Sequence, residues 1–566
     1  MQTTSNATLF QTSYSEALGA YRSRKAIHTS GLVSISSTSC LDEVKARYGY
    51  PIHLHPRFEE AVVKNAQDLA VEGSGADGGR YRVLSLQVDN ERGYIWTSES
   101  GGIVRQLDGE SGKTVNTYRG AKAPVPTFDF LKTKAGEKLL VTGSWDKALR
   151  IYRVSNSPND KSAATPLLEL PDAMADFIKS VHIFESSNTT YIAAAGSDKS
   201  IMLFDVTPLL TLPTLAVTVE AKLKCIYQNK SHTRPVNVLA SLVGLDGITR
   251  LYSADSMGRV LESTLNPTTL RLEVQREIRG FSTAVYDLKA GWRRVEVEGE
   301  ASSSPSSSGG GDAFVSEVKE DEEGGRYQLV AEVWAASGDK TVAGYRLSPS
   351  LQSSSNKISS RIASSSTTNT PLLGNQEPLS LPYAKIAHQD FVKSVLPLAL
   401  HLSSSSSSSS SSCSYYYDTF SQAVLTGGSD EHLRLHSPFS EDENVVEIEG
   451  HWHEITSLAL WFRSPSVSAS NSSLTVLPKA KNEELWVVSA GLDGSIRRWN
   501  LNSIARLPKP DLKPVLEEKA RELGGDWDQN SLPPVTINKR GEDAVVGLQM
   551  TAEEEAELAE LMSDDD

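Results

Sequence analysis

The sequence predicts an all-β fold built from small, repeated antiparallel sheets, and two observations lead to this prediction. Residues 450–500 contain three short runs of alternating β-branched and aromatic residues bounded by Gly and Asp, which is typical of strands. Asp493-Gly494 supplies a tight turn between the second and third runs. The same pattern recurs along the chain. Because one such sheet cannot bury both of its faces alone, the units must stack on one another.

The repeat is defined by an Asp that is followed by an aliphatic residue three positions later and a large ring six positions later. Side chains alternate between the two faces of a strand, and this alternation explains the spacing. Two further units are degenerate: Ser100 stands at the Asp position of one, and residues 254–260 form a longer turn in the other. The regular units have their aspartates at Asp146, Asp198, Asp339, Asp430 and Asp493. Seven units are therefore predicted.

Residues 450–500 resemble a WD repeat, in which Gly-His opens the unit and Trp-Asp closes it. Here Gly450-His451 opens the unit and Trp499-Asn500 closes it, with Asn in place of the usual Asp. The resemblance implies a seven-bladed β-propeller with one unit per blade. It also implies a buried structural network formed by His451, Ser489, Asp493 and Trp499. Such a network is physically reasonable, because a buried carboxylate needs hydrogen-bond donors.

The predicted propeller spans residues 81–505, between an N-terminal extension (1–80) and an acidic C-terminal tail (506–566). The resemblance implies a ring that closes by pairing strands from the two ends of the chain, which removes exposed edges. We expect one strand of the extension to complete the seventh blade, but the sequence does not indicate which segment. The tail has two short helical patterns, the second with a capping box at Thr551 and Glu554. It is either a solvated tail or a motif that folds on a partner.

Four Ser-rich segments interrupt the repeats, and their low apolar content predicts disorder. They are residues 301–325, 349–375, 402–414 and 464–473. Three fall between the first and second strands of a blade, and one follows a third strand. Since successive strands reverse direction, all four should leave the same face of the propeller. We expect the opposite face to be the main docking surface, because insertions are tolerated where nothing docks. Alternatively, the Ser tracts are regulated linkers.

A local repetition lies on the expected docking face. The sequence Asp-Phe-Ile-Lys-Ser-Val at 176–181 returns as Asp-Phe-Val-Lys-Ser-Val at 390–395. Aromatic and Lys side chains at these strand starts can grip an acidic or aromatic peptide, since such anchors dominate interfaces. The alternative is repeat drift, with Phe covering the core. The candidate partner-binding residues are Phe177, Lys179, Phe391, Lys393, Trp452 and Glu454.

Composition limits the classes of partner. The formal net charge of −15 argues against broad, non-specific nucleic-acid binding, although it leaves room for indirect binding or a local basic patch. The isolated cysteines Cys40, Cys225 and Cys413 lack zinc-site spacing and suit a reducing compartment. No run of about 18 apolar residues or signal-like N-terminus is present, so we expect no membrane span. A cytoplasmic or nuclear location is predicted.

Catalytic signatures are missing from the sequence. It contains no nucleophile elbow, P-loop, dinucleotide fingerprint or clustered metal ligands, so we expect no enzyme activity, no cofactor and no metal site. The predicted function is a protein-interaction scaffold or adaptor, a monomeric propeller within an intracellular multiprotein complex. The alternatives are a regulatory subunit of an RNA-modifying or ribosome-assembly complex, or a substrate receptor of a ubiquitin ligase. Residues 499–502, Trp-Asn-Leu-Asn, weaken the last because such receptors often carry Trp-Asp-x-Arg.

Overall fold

The computed structural model describes the backbone of residues 50–53 and most of residues 82–505. The predictions for residues 1–49, for the tail at 506–566, for Trp452 and for most of the Ser-rich segments lie outside the described residues. Within 82–505 the gaps are 110–111, 113, 156, 158–159, 161–164, 211–222, 224, 298–311, 321–324, 349–377, 389, 404–418, 439–444, 450, 452 and 464–483.

Seven small antiparallel sheets form a seven-bladed β-propeller, which confirms the predicted fold class. Blade one contains β2 (Val83–Asp89), β3 (Tyr94–Glu99), β4 (Val104–Asp108) and β5 (Thr114–Tyr118). Blade two contains β6 (Thr127–Lys132), β7 (Lys138–Gly143), β8 (Leu149–Arg153) and β9 (Leu168–Leu170). Blade three contains β10 (Ile178–Ser186), β11 (Thr189–Gly196), β12 (Ile201–Asp205) and β13 (Cys225–Asn229). Blade four contains β14 (Val236–Val243), β15 (Thr249–Asp255), β16 (Val260–Leu265) and β17 (Leu272–Ile278).

The remaining blades contain the insertions. Blade five contains β18 (Val285–Glu296), β20 (Arg326–Ser337), β21 (Thr341–Arg346) and β22 (Ala384–Ala387), and the short β19 (Lys319–Glu320) pairs with β20. Blade six contains β23 (Val392–Pro397), β24 (Val424–Gly428), β25 (His432–His436) and β26 (Val445–Glu449). Blade seven contains β27 (Ile455–Arg463), β28 (Glu484–Gly491), β29 (Ser495–Asn500) and β1 (Tyr50–His53). The described residues also contain three short helices, α1 (Thr207–Leu210), α2 (Leu398–Ser403) and α3 (Leu501–Ala505), which follow β12, β23 and β29.

The hydrophobic core lies between adjacent blades. Between blades one and two, Trp96 and Tyr118 pack with Phe128 and Tyr152, and all four side chains are buried. Each first strand lies innermost, against the first strands of the neighbouring blades. Side chains there bond the next blade's backbone: Ile183 N donates to Asp129 Oδ2 over 2.8 Å. These contacts fix the register between blades, so the ring is a rigid platform for its loops.

The ring closes through a strand from the N-terminal extension. β1 pairs antiparallel with β29 and is the outermost strand of blade seven, with Tyr50 opposite Arg498 and His53 opposite Ser495. On its inner side, blade seven meets blade one, where Thr456 Oγ1 donates to the carbonyl of Val83 over 2.9 Å. The last blade therefore combines the earliest and latest described strands.

One expectation about the Ser-rich segments was wrong in part. The sequence predicted disorder for residues 301–325, yet residues 312–320 are described and pack against blades four and five. Phe314 is buried, with the guanidinium carbons of Arg250 and Arg276 at 4.5 and 4.9 Å from its ring centroid. The buried Phe314 and the backbone hydrogen bonds of this segment to blades four and five are specific contacts, which an average composition does not reveal.

Candidate protein-interaction face

One face of the propeller carries no long insertion among the described residues. It is formed by the turns between second and third strands and by the links between blades; we call it the turn face. The other, formed by the connections between first and second and between third and fourth strands, is the insertion face. Within 82–505, every stretch of more than two residues that the structure does not describe belongs to a connection of the insertion face or lies next to β19. The turns of the turn face are residues 100–103, 144–148, 197–200, 256–259, 338–340, 429–431 and 492–494.

The four residues of the predicted structural network, His451, Ser489, Asp493 and Trp499, lie together in blade seven. His451 Nδ1 lies 2.9 Å from Asp493 Oδ2, and His451 Nε2 lies 2.7 Å from Ser489 Oγ. Trp499 Nε1 donates to the same Ser489 Oγ over 2.8 Å. All four side chains are buried. The chain from indole to carboxylate ties the turn, the second strand and the third strand of the blade to the link before it.

Blade four contains a second network that the sequence reasoning missed. His232 Nδ1 lies 3.0 Å from Asp255 Oδ2, and His232 Nε2 lies 2.8 Å from Ser253 Oγ. Burial raises the pKa of Asp255, but hydrogen bonds from His232 and from two backbone amides outweigh burial and lower the pKa overall. The Ser and Asp are two positions apart here instead of four, so the repeat pattern did not find them. Ser231-His232 just before the first strand was the available signal.

The aspartates of the regular turns serve as turn anchors. Four of the five, all except Asp493, accept the backbone N–H of the residue two positions later, over distances of 3.0 to 3.3 Å. Three also accept an N–H from the preceding link, which fastens the turn to the neighbouring blade. The aspartates concerned are Asp146, Asp198 and Asp339, while Asp430 instead pairs with Arg434 at 2.6 Å. Their carboxylates therefore face inward and are occupied by donors.

The three exposed Trp and Phe side chains among the described residues all lie on the turn face. Trp145 is 39%, Phe177 46% and Phe391 42% exposed. Trp145 from the turn of blade two and Phe177 from the link to blade three stack on each other, with ring centroids 5.9 Å apart and planes inclined by 25°. Met257, 56% exposed, stands on the turn of blade four. Phe177 and Phe391 thus do not cover the core, as the repeat-drift alternative required.

The repeated motif has the same geometry at both sites. Asp176 accepts the N–H of Phe177 over 2.8 Å, and Asp390 accepts that of Phe391 over 2.7 Å. Each Phe carbonyl in turn accepts an N–H from the adjacent turn, at Ser197 or Ser429. At Gly196 a Cβ atom would lie 2.0 Å from the Phe177 carbonyl oxygen, so only glycine allows the link to approach this closely. Tight backbone contacts therefore hold both Phe residues at the surface.

The two motif lysines stand in β-bulges at the starts of first strands. Bulges interrupt the pairing at this position in six blades, at Leu84, Lys179, Asn237, Tyr286, Lys393 and Thr456. A bulge re-aims the extra side chain, here towards the next blade. Lys179 Nζ donates to Asn237 Oδ1 over 3.0 Å, and burial lowers its pKa. Lys393 Nζ lies 3.7 Å from the ring centroid of Tyr286 and 3.7 Å from Glu454 Oε2.

No family model and no curated protein matches the chain. Within the described part of the chain, no group of three or more His, Cys, Asp or Glu residues is arranged to hold a metal ion. None of the helices described is both long and apolar enough to cross a membrane.

Proposed function

We propose that this protein is a non-catalytic scaffold of the WD-repeat type that binds other proteins through its turn face. The proposal rests on the exposed Trp145, Phe177 and Phe391, which share that face. Exposed aromatic residues on a rigid backbone are typical of protein interfaces, because they bury large apolar area and lose little conformational entropy. A monomeric ring within a cytoplasmic or nuclear complex agrees with the acidic composition and the unpaired thiol of Cys225.

Two features of the blades support the WD-type and non-catalytic parts of the proposal. The network from Trp499 through Ser489 and His451 to Asp493 has the residue types of a WD blade. Both Ser-His-Asp sets in the described residues are buried, and their atoms bond one another. A serine nucleophile needs room for a substrate carbonyl and an oxyanion site, and a fully buried hydroxyl offers neither.

A paired affinity purification tests the proposal. The full-length protein and three variants, Trp145→Ala, Phe177→Ala and Phe391→Ala, are purified from the source cell with their stoichiometric partners. We expect at least one variant to lose a partner that the unaltered protein retains, because truncating an interface anchor costs about 2 kcal/mol or more. Leu245→Ala, on the insertion face and 53% exposed, is the matched control. Melting curves must be unchanged for each variant.

Shortening the Ser403–Ser412 tract is the complementary test. Partner association should persist when this tract is deleted, since it belongs to the insertion face. If the deletion abolishes association while all three aromatic variants bind normally, the docking face has been assigned to the wrong side.

A further inference from the structure

Trp145 and Phe177 form an exposed aromatic pair whose surroundings set the chemistry of its partner. Trp145 N donates to the carbonyl of Pro124 over 3.0 Å, which places the pair beside the link that carries Lys122. Lys147 follows Trp145 in the same turn, and Lys199 follows Ser197, whose N–H bonds the Phe177 carbonyl. Three lysines therefore stand on segments directly bonded to the aromatic pair.

The charged groups around the pair differ in whether another group of the protein already binds them. The carboxylates of Asp146, Asp176 and Asp198 accept N–H donors from the backbone, and Asp146 also pairs with Arg150 at 2.8 Å. By contrast, no described residue forms an ion pair with the ammonium groups of the three lysines defined above. Asp172, on the link that carries Phe177, is also an exposed carboxylate, so the formal charges around the aromatic pair nearly cancel. The unpaired charges are nevertheless mainly cationic.

Two of these lysines stand at strained backbone positions in the turns. Lys147 and Lys199 have φ angles of 69° and 66°, the left-handed conformation that glycine adopts at the equivalent Gly102, Gly258 and Gly494. This conformation is strained for an L-residue. Lys340 and Glu431 share it in the turns of blades five and six, whereas here it is held by two lysines, of which Lys199 is exposed and Lys147 half-buried. Strained backbone positions of this kind motivate a functional hypothesis where other features agree.

The second copy of the motif keeps the left-handed turn positions and one turn lysine, Lys340, but lacks the tryptophan and the second turn lysine. Where blade two has Trp145, the turn of blade five has Gly338, and where blade three has Lys199, the turn of blade six has Glu431. The motif lysine of blade six is held between Tyr286 and Glu454. Among the described residues, no ring stacks on Phe391, and Glu431 and Glu454 lie on neighbouring segments, although its exposure and backbone contacts match those of Phe177. The structure itself supplies a matched control.

We propose that the Trp145–Phe177 pair binds an acidic peptide segment of a partner protein through one apolar or aromatic anchor side chain. The anchor packs on the exposed ring surfaces, and Asp or Glu residues on either side pair with Lys122, Lys147 and Lys199. This assignment rests on the proposed scaffold function and specifies the partner chemistry at one site of the turn face. Such a site gains specificity from the charges and affinity from the buried ring area.

Selection from a random 12-residue peptide library on the immobilised full-length protein tests the assignment without a known partner. We expect enriched peptides to share Asp or Glu residues around a Phe, Trp or Leu. A synthetic, fluorescently labelled representative should bind Trp145→Ala and Phe177→Ala at least about tenfold more weakly, and Phe391→Ala unchanged. Raising the salt concentration should weaken binding, because exposed ion pairs are screened.

Charge reversal gives an independent readout that does not depend on removing a ring. The double variant Lys147→Glu, Lys199→Glu should lose the acidic consensus in the same selection while its melting curve stays near that of the unaltered protein. A basic or uncharged consensus, no enriched peptide, or equal binding by Phe177→Ala and Phe391→Ala overturns the proposal. The scaffold function fails separately, when no aromatic variant of the turn face loses a cellular partner.

Discussion

At the scale of single residues, the buried polar network of blade seven has a defined direction. The Trp499 indole can only donate, so Ser489 Oγ accepts that hydrogen bond and donates its own O–H to His451 Nε2. With Nε2 accepting, the imidazole donates from Nδ1 to Asp493. Every polar atom in this sequence of bonds has a complementary neighbour, which is the condition for burying it without a large desolvation cost.

Removing the carboxylate at the end of this network should destabilise the ring. Asp493→Ala leaves the Nδ1–H of His451 without its acceptor in a buried site, and we expect a loss of about 1 to 3 kcal/mol in the free energy of unfolding. Urea denaturation measures the loss. Glu91→Ala, at an exposed position outside this network, should change stability little. An unaltered midpoint for Asp493→Ala would count against a stabilising network.

Blade six has His436 six positions after its turn aspartate, where the other regular blades have Tyr, Phe or Trp. This histidine predicts pH-dependent stability. Burial lowers the pKa of His436 to about 3, with a further contribution from His388, whose ring centroid is 5.0 Å away. Burial, followed by Arg434, lowers the pKa of His388 to about 4. Both rings are therefore neutral in the folded protein at pH 5, whereas in the unfolded chain their pKa is about 6.5.

The sign of the pH effect follows from proton binding. Between pH of about 6.5 and 4 the unfolded chain binds more protons than the folded one, so the stability supplied by the neutral rings is lost as pH falls. Urea midpoints measured at pH 7.5 and 4.5 should differ less in His436→Phe than in the unaltered protein, because one of the titrating groups is gone. Equal differences in the two proteins would refute this account.

At the scale of elements, the four-residue strand β1 completes blade seven. It covers the outer edge of β29, which would otherwise expose unpaired backbone donors and acceptors. Its short length also explains why the sequence did not reveal it: a four-residue strand in an extension of about 80 residues has too few positions for a detectable alternation.

Deleting residues 50–53 should weaken blade seven more than the other blades. We expect a lower melting temperature and faster proteolysis within residues 455–500, because the edge of β29 loses its backbone partners. Mass spectrometry of limited digests locates the cuts. A deletion of four residues elsewhere in the extension, such as 30–33, is the control. Cleavage spread evenly over the seven blades would show that β1 does not act locally.

At the scale of the whole molecule, the sequence predicted features formed by residues close together in the chain, but not contacts between different blades. The seven units were predictable because the Asp-centred spacing lies within one hairpin, and Trp499 lies close to Asp493 along the chain. The stacking of Trp145 on Phe177 was not predictable, because the two rings belong to different blades. Blade four's network was missed because Asp255 ends a strand instead of occupying the turn. The sequence therefore singled out Phe177 but not Trp145, the other ring of the pair.

The pairing of β1 with β29 also means that the ring can close only late in synthesis. β1 leaves the ribosome first among the described strands, yet its partner is completed only at Asn500. Until β27 is also made, blade one has no neighbour on one side, and its apolar residues Val83 and Leu86, which later share a core cluster with Trp461, remain uncovered. A nascent chain in this condition is exposed to aggregation until blade seven has been synthesised. The closed ring is therefore a form that the cell must protect while it is incomplete, and a prematurely terminated product could not hide this surface.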